Sequence, residues 1–333
     1  MKAMLLHKAR PIEEHPLRLE DVALPDPADE QVRVRVSVCG LCRTDLHTVE
    51  GDLALPKLPV VPGHQVVGVV DAVGKRVRTH KEGDRIGVPW LYWTCGECTF
   101  CRSGRENLCE RAKFTGLHAN GGYADALVVD ERFAFRLPDA FTDENVAPLL
   151  CAGVIGYRSY KLSGISSGGR LGLFGFGASA HIVLQLARFH KCEVHVFTRT
   201  ESHRKLAREL GAAWVGGADE SSSAELDSAI VFAPAGKVVP EALRHVRKGG
   251  TVALAGIAMT EIPPMAYSLL YYEKVLRSAA NSTRDDVREF LQLATDIPIR
   301  TAVQSFALED ANEALSAMKH SRIEGAGVLR VNR

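Results

Sequence analysis

Four cysteines crowd into one short stretch, as Cys95-x-x-Cys98-x-x-Cys101 followed after seven further residues by Cys109. Four thiolates so spaced suit tetrahedral zinc with no position left for water, and a closed centre of that kind stabilises a fold without doing chemistry. Iron–sulfur runs also begin Cys-x-x-Cys-x-x-Cys, but they continue with a cysteine after three residues and then a proline. Here the last gap is longer and Glu110 follows Cys109. Structural zinc is the expected occupant, ahead of a cluster or four free thiols.

A second set is dispersed along the chain: Cys42, His64 and Cys151. Two thiolates and one imidazole leave a fourth zinc position for water or substrate oxygen, the Cys2His pattern of a catalytic centre. Each residue alone carries little, because a free cysteine is usually a small buried hydrophobe.

A third pattern is Gly175-Phe-Gly177-Ala178-Ser179-Ala180. It follows an expected strand, Arg170–Phe176, and opens an expected helix, Ala178–His190. Glycines there permit a tight turn and close backbone approach, and the helix N-terminus offers unpaired N–H groups to a pyrophosphate. An NAD site expects an acid about twenty residues on, at the end of the next strand. That strand ends Val196-Phe197-Thr198-Arg199, with His203 and Arg204 close behind. A small hydroxyl beside a guanidinium suits the 2′-phosphate of NADP, whereas a carboxylate would repel it. NADP(H) is therefore favoured over NAD(H), with Glu201 the rival that would reverse the choice.

These groups need elements to hold them. The 333 residues allow about two domains at roughly 150 residues each. Hydrophobic residues make up 46% and charged residues 24%, ordinary for a soluble enzyme. A formal net charge of +1 gives no bulk attraction to nucleic acid or to a membrane. No apolar run reaches membrane-spanning length, and Met1–Asp21 lacks the basic head and apolar core of a signal peptide. The expected compartment is cytoplasmic, where the eight cysteines serve as thiols or ligands.

Val32–Val38 alternates apolar and basic residues like a half-buried strand, and Val66–Val73 and Gly83–Val88 also read as strand. The N-terminal part is expected to be mostly β, its cysteines and histidines on loops. Beyond Leu149 short strands alternate with helices. After those already named come a strand at Glu193–Thr198, a helix at Ser202–Leu210, a strand at Ala229–Ala233, a helix at Val239–Val246 and a strand at Thr251–Ile257. Such alternation predicts a parallel sheet covered by helices, with Val275–Ala280 as its last strand. Helices at Asp285–Ala294 and Leu308–Lys319 read as a returning segment.

Taken with their neighbours, these residues resemble the zinc-containing alcohol dehydrogenases of the medium-chain dehydrogenase/reductase superfamily. The segments that carry the resemblance are Cys39-Gly-Leu-Cys42-Arg-Thr-Asp-Leu-His47, Pro62-Gly-His64-Gln65, Gly83-Asp-Arg-Ile-Gly87, the cysteine lobe, Gly121-Gly-Tyr-Ala124 and Leu149-Leu-Cys151-Ala-Gly153. They keep the family's order and cover essentially the whole chain. Gly175–His181 is similar to the bacterial cinnamyl-alcohol-dehydrogenase-like branch. The resemblance implies an α/β fold: a β-rich, GroES-like catalytic domain over 1–150 with a zinc lobe at about 90–112, a doubly wound Rossmann cofactor domain over 151–281, and a C-terminal return over 282–333. It implies two zinc ions per chain, one catalytic on Cys42, His64 and Cys151, one structural on the four lobe cysteines.

By the same resemblance, Thr44 meets the substrate oxygen, His47 passes the proton outward, and Asp45 buttresses the ligating histidine, fixing its tautomer. Arg43 faces the cofactor pyrophosphate. Cys39 and Cys192 match no ligand. One departure stands out: the family usually has glutamate after the ligating histidine, and this chain has Gln65. A neutral amide there leaves the zinc more positive and lowers the pKa of bound alcohol or water.

The implied activity is reversible hydride transfer between a primary alcohol, aromatic or medium-chain aliphatic, and NAD(P). Leu53 stands where small-alcohol relatives carry an aromatic residue, and Trp90 and Trp93 are candidate walls of a wider apolar pocket. Trp93 has an alternative role in packing the cysteine lobe. Rival readings are a polyol or sugar-alcohol dehydrogenase on the same scaffold, or a protein that binds cofactor without turnover. The expected partner is a small-molecule alcohol or aldehyde, with no nucleic acid and no membrane, in a homo-dimer or homo-tetramer.

Overall fold

The computed structural model describes residues 1–220, 222, 224–323 and 325–332. The expected return to residue 333 thus includes two positions, 324 and 333, outside the described residues. The chain divides into two compact units, one of Met1–Cys151, Thr283–Thr295 and Arg300–Arg333, the other of Ala152–Ser282 and Asp296–Ile299.

The first unit opens with β1 (Lys2–Leu6) paired antiparallel to β2 (Leu17–Asp21). β3 (Gln31–Gly40) follows, its alternation burying Val32, Val34 and Val36 completely on one face. Next come α1 (Arg43–Glu50), β4 (Gln65–Val73), β5 (Arg85–Val88), β6 (Leu91–Trp93), α2 (Thr99–Arg102), β7 (Lys113–Phe114), β8 (Ala126–Asp130), β9 (Phe135–Arg136) and α3 (Asp143–Val146).

The second unit holds α4 (Ala152–Ser163), β10 (Arg170–Phe174), α5 (Ala178–Phe189), β11 (Glu193–Phe197), α6 (Glu201–Glu209), β12 (Trp214–Gly216), β13 (Leu226–Val231), α7 (Val238–His245), β14 (Val246–Leu254) and β15 (Val275–Ser278). The return consists of α8 (Arg284–Asp296), β16 (Val303–Ala307), α9 (Ala311–Lys319) and β17 (Ala326–Arg330).

In the first unit the sheet order is β16-β17-β3-β4-β5-β9, with β8 also on β3. Apart from β16–β17 the pairs are antiparallel. The β3–β4 register slips between Val36 and Val38, so Ser37 is an extra residue on β3. A bulge of this kind re-aims a strand end, and beyond it Gly40 pairs with Gln65. Cys42 leaves the end of β3 and His64 enters the start of β4, so this pairing brings two distant residues to one place.

In the second unit all six strands are parallel, in the order β12-β11-β10-β13-β14-β15. Numbered within the unit this is 3-2-1-4-5-6, the doubly wound order in which dinucleotides bind where strand order reverses, between β10 and β13. Buried Leu171, Leu173, Val194, Val196 and Ile230 give these strands their continuous apolar character, as a sheet covered on both faces requires. The fold is α/β, with the expected GroES-like and Rossmann-type parts.

Three local expectations differ. Residues 43–50 form a helix, not a loop. The strand expected at Thr251–Ile257 starts earlier, because α7 runs straight into β14 and the chain turns within it at Gly249 (φ +73°). α4 and the short edge strand β12 lie in stretches whose periodicity carries no clear signal. Among the described residues, no helix is long and apolar enough to cross a membrane.

Candidate active site

Cys42 occupies the N-cap of α1, and Asp45 lies one turn in. Asp45 Oδ2 accepts the Cys42 backbone N–H at 2.9 Å, satisfying a donor at the helix start. Its Oδ1 accepts the Gly63 N–H at 3.2 Å and lies 2.7 Å from His64 Nδ1. A single carboxylate therefore ties together the helix start, the Pro62-Gly63 turn and the imidazole. Gly63 has φ +97°, and a Cβ there would meet the Tyr123 ring at 2.4 Å, so only glycine lets the turn close.

With Nδ1 committed, His64 presents Nε2, which lies 3.3 Å from Cys151 Sγ. Cys42 and Cys151 sulfurs are 3.8 Å apart, and the three ligand atoms lie within 4.8 Å of one another. Two sulfurs each about 2.3 Å from a tetrahedral zinc would be about 3.8 Å apart, so these thiols fit one ion. Cys151 follows the 3-10 turn Ala147–Leu150, whose four side chains are buried.

Burial of Asp45 pushes its carboxyl up against the pull of His64. Burial alone would lower His64, but Asp45 and Cys42 override it and hold the ring up to about 10. A hydrogen bond from Cys151 pulls the Cys42 thiol down against burial, whereas that bond and burial push Cys151 up. A cation at Nε2 displaces a ring proton while the Nδ1 proton stays on the Asp45 bond.

Thr44, buried in the first turn of α1, places Oγ1 3.7 Å from Cys42 Sγ. One turn on, His47 Nδ1 meets Asp52 Oδ2 at 2.7 Å. The His47 carbonyl also accepts the N–H groups of Gly51, Asp52 and Leu53, at 3.1, 2.9 and 3.4 Å, so the segment after α1 wraps onto this histidine. Asp52 is 58% exposed, which gives His47 a carboxylate in contact with solvent. Arg43, the first residue of α1, is exposed.

The His64 ring lies 6.0 Å from Trp90, which stacks on Phe114 at 4.3 Å. Trp93 sits elsewhere, under the Lys113 ammonium at 5.4 Å, lining a cavity of about 290 Å³ with Gln31, Arg76, Tyr92 and Asp130. Leu53 is half-buried directly after α1. Cys39 is buried with its thiol on the Gly40 carbonyl, and Cys192 is buried with its thiol on the Ser166 carbonyl. Asp52 and Phe114 are not singled out by the sequence pattern. For Asp52 a signal exists, an acid just past the glycine that ends the histidine-bearing helix.

The lobe gathers Cys95, Cys98, Cys101 and Cys109, their sulfurs all within 4.8 Å. Backbone N–H groups of Cys98 and Cys101 point at the Cys95 and Cys98 sulfurs, at 3.4 and 3.5 Å. Backbone donation, led by Glu97, pulls the Cys95 thiol down to about 6 against burial. Four converging sulfurs with N–H donors behind them fit a closed zinc site.

In the second unit Gly175 has φ +91°, and a Cβ there would lie 2.8 Å from the Ala233 backbone nitrogen. Gly177 caps α5 and a Cβ there would meet nothing within 4 Å, so the backbone before Ala178 and Ser179 is open to a ligand. That cradle fits a pyrophosphate at a helix N-terminus. Thr198 is buried at the end of β11, its N–H on the Gly216 carbonyl at 2.8 Å. Arg204 turns inward, its Nε on the Thr198 carbonyl at 3.0 Å and Nη2 on Glu220 at 3.4 Å. Arg199 is exposed and has no hydrogen bond or ion pair among the described residues. Glu201 pairs with Arg208 at 3.2 Å.

Family models match both units: the alcohol dehydrogenase GroES-like domain over residues 28–139 and the zinc-binding dehydrogenase domain over 178–296. A probable alcohol dehydrogenase of Mycobacterium tuberculosis is 43% identical, over 99% of this chain and 97% of that one. An alcohol dehydrogenase of Geobacillus stearothermophilus is 35% identical, over 95% of this chain and 97% of its own. Among solved structures, a cinnamyl alcohol dehydrogenase of Sorghum bicolor superposes with a TM-score of 0.89 at 27% identity, covering 98% of this chain and 97% of that one.

Proposed function

The chain belongs to the zinc-dependent alcohol dehydrogenases of the medium-chain dehydrogenase/reductase superfamily, and from that premise we propose that it interconverts primary aromatic or medium-chain aliphatic alcohols and their aldehydes with NADP(H) favoured over NAD(H). The observation that carries the chemistry is the convergence of Cys42, His64 and Cys151 around one point with Asp45 behind the imidazole. When bound there, zinc supplies Lewis-acid polarisation of an alcohol or aldehyde oxygen, and the nicotinamide takes or returns the hydride.

The chain's own residues do the rest. Asp45 holds His64 in the tautomer that offers Nε2. Thr44 takes the proton of the substrate hydroxyl before the hydride leaves the carbon, and His47 relays it outward. Asp52 orients His47 through Nδ1, and His47 hands the proton to water. Reduction runs the same transfers backward. The lobe holds a second, structural zinc, giving two per chain.

Support for NADP(H) comes from Arg199, which has no competing partner among the described residues, and from Glu201, which is drawn to Arg208. Support for aromatic and medium-chain substrates comes from the Trp90–Phe114 stack beside the ligating histidine. A homo-dimer or homo-tetramer is supported by β15, an edge strand of the parallel sheet. Tyr267, Tyr271 and Val275, in and just before it, are 73%, 61% and 45% exposed, apolar surface that a second copy would cover. The eight cysteines, six of them zinc ligands in this reading and none in a disulfide, suit a cytoplasmic setting.

Replacing Arg199 tests the cofactor assignment. Arg199→Ala raises KM for NADPH at least tenfold and leaves KM for NADH within about twofold, since a charge-assisted phosphate contact is worth about 1.5–3 kcal/mol. Equal effects on both cofactors would overturn it.

A further inference from the structure

Among the described residues, Tyr123 is the largest fully buried side chain. Its hydroxyl is shut off from solvent and makes no hydrogen bond among those residues. A buried phenol usually finds a partner for its O–H, so this one calls for a reason.

The backbone shows what Tyr123 is tied to. The strip Gly121–Tyr123 runs along the strip Val61–Gly63. The Gly121 N–H meets the Val61 carbonyl at 2.7 Å, the Gly122 N–H meets Gly63 at 2.9 Å, and the Tyr123 N–H meets Pro62 at 3.0 Å. These bonds hold the three residues directly before His64. The phenol edge then lies on Gly63 itself, where a Cβ would meet ring Cδ1 at 2.4 Å, Cε1 at 2.8 Å and the Cys39 sulfur at 2.9 Å. Gly63 in turn gives its N–H to Asp45. Phenol, glycine turn and carboxylate are consecutive links in one packed chain.

Asp45 has room for one more donor. An ionised carboxylate offers about four lone-pair sites. Oδ2 takes the Cys42 N–H, and Oδ1 takes the Gly63 N–H and faces His64 Nδ1. The charged or ionisable groups that face the phenol are Asp45, Cys39 and Cys42; burial pushes the phenol well above its ordinary range, and the Asp45 carboxylate adds to it. Cys39 already points its thiol at the Gly40 carbonyl, and Cys42 is one of the three converging ligands. Asp45 is the acceptor left for the hydroxyl.

We propose that Tyr123 is a positioning residue for the Cys2His centre, its hydroxyl donating to Asp45 and so limiting how strongly that carboxylate draws the Nδ1 proton of His64. The proposal rests on the zinc reading of that centre. A carboxylate that shares its charge with a phenol accepts less strongly from the imidazole, and the imidazole is then a less basic ligand.

Proton NMR of the His64 Nδ1–H tests this, because the resonance moves downfield as its acceptor strengthens. Zinc-loaded parent is compared with Tyr123→Phe, which keeps the ring on Gly63, and with 3-fluorotyrosine placed at position 123, whose more acidic hydroxyl donates more strongly. The expected result is a downfield shift in Y123F and an upfield shift with fluorotyrosine. The fluorotyrosine protein, close to the parent in shape, decides alone where Y123F fails to fold. Coincident resonances would show that the hydroxyl only fills space and would overturn the proposal. Zinc titration of the parent checks the underlying reading separately. If the metal leaves this resonance unmoved, the centre is not a zinc site and the proposal falls with it; if the metal moves it, the comparison at Tyr123 decides.

Discussion

At the scale of single residues, Asp45 joins the most functions. Its carboxylate caps α1, closes the Gly63 turn and orients His64, all while 2% exposed. Asp45→Ala should weaken zinc at the Cys2His centre about tenfold to a hundredfold, read by chelator competition, and leave the lobe zinc in place. Retention of both ions at parental affinity would count against the role. Gln65 is buried, with its side chain packed against Gly40. Gln65→Glu adds negative charge beside the ligands, so the pH–activity profile should move to higher pH while zinc content stays the same. The lobe cysteines are legible in the sequence because the ion constrains their spacing, whereas Cys42, His64 and Cys151 are dispersed and are legible through the family resemblance of the segments around them. Asp52 is harder to find, because its role depends on a helix ending at Gly51 that hydrophobic periodicity does not reveal.

At the scale of elements, α8 is fastened to the cysteine lobe by a carboxylate. Thr283 and Asp286 cap the helix reciprocally, at 2.9 and 3.1 Å. Glu106, in the short turn before Cys109, accepts the Arg284 N–H at 2.8 Å and its guanidinium Nε at 2.9 Å, a favourable charge at a helix start. Burial resists ionising Glu106, but Arg284 outweighs it and holds the carboxyl below the usual range. A depressed carboxylate contributes stability above its unfolded pKa and loses it as pH falls through the folded value. Glu106→Gln should therefore cost about 2–3 kcal/mol near pH 7, less than a fully enclosed pair because Arg284 stays 26% exposed. The parent and variant should converge only in acid well below the ordinary glutamate value of about 4.3, where Glu106 is protonated in the folded as well as the unfolded state. Urea midpoints at the two pH values check this; a gap that persists in acid would show that packing, not charge, is lost. The strands and helices of the parallel sheet are legible because each carries its own apolar signal. α1 is not, because its register is set by Cys42, Asp45 and the β3 bulge, which are polar or topological signals.

At the scale of the whole molecule, both proposed metal centres belong to the first unit and the dinucleotide loop belongs wholly to the second. Removing zinc by chelation should abolish turnover yet leave the affinity for ADP-ribose 2′-phosphate within about twofold, the limit of additivity for sites that share no residues. The overall class was legible because ligand spacing, glycine loop and strand–helix alternation all point to one architecture. Substrate choice and ribose recognition were less so, since they rest on side-chain directions that only packing fixes, as with Trp93 turned to Lys113 and Arg204 turned to Thr198. The most direct measurement is kcat/KM for NADPH and for NADH in the reduction of benzaldehyde by zinc-loaded protein. The predicted result is zinc-dependent turnover with kcat/KM for NADPH at least tenfold above that for NADH, by the same phosphate contact. Turnover that favours NADH, or none on an aromatic aldehyde with either cofactor, would contradict the account.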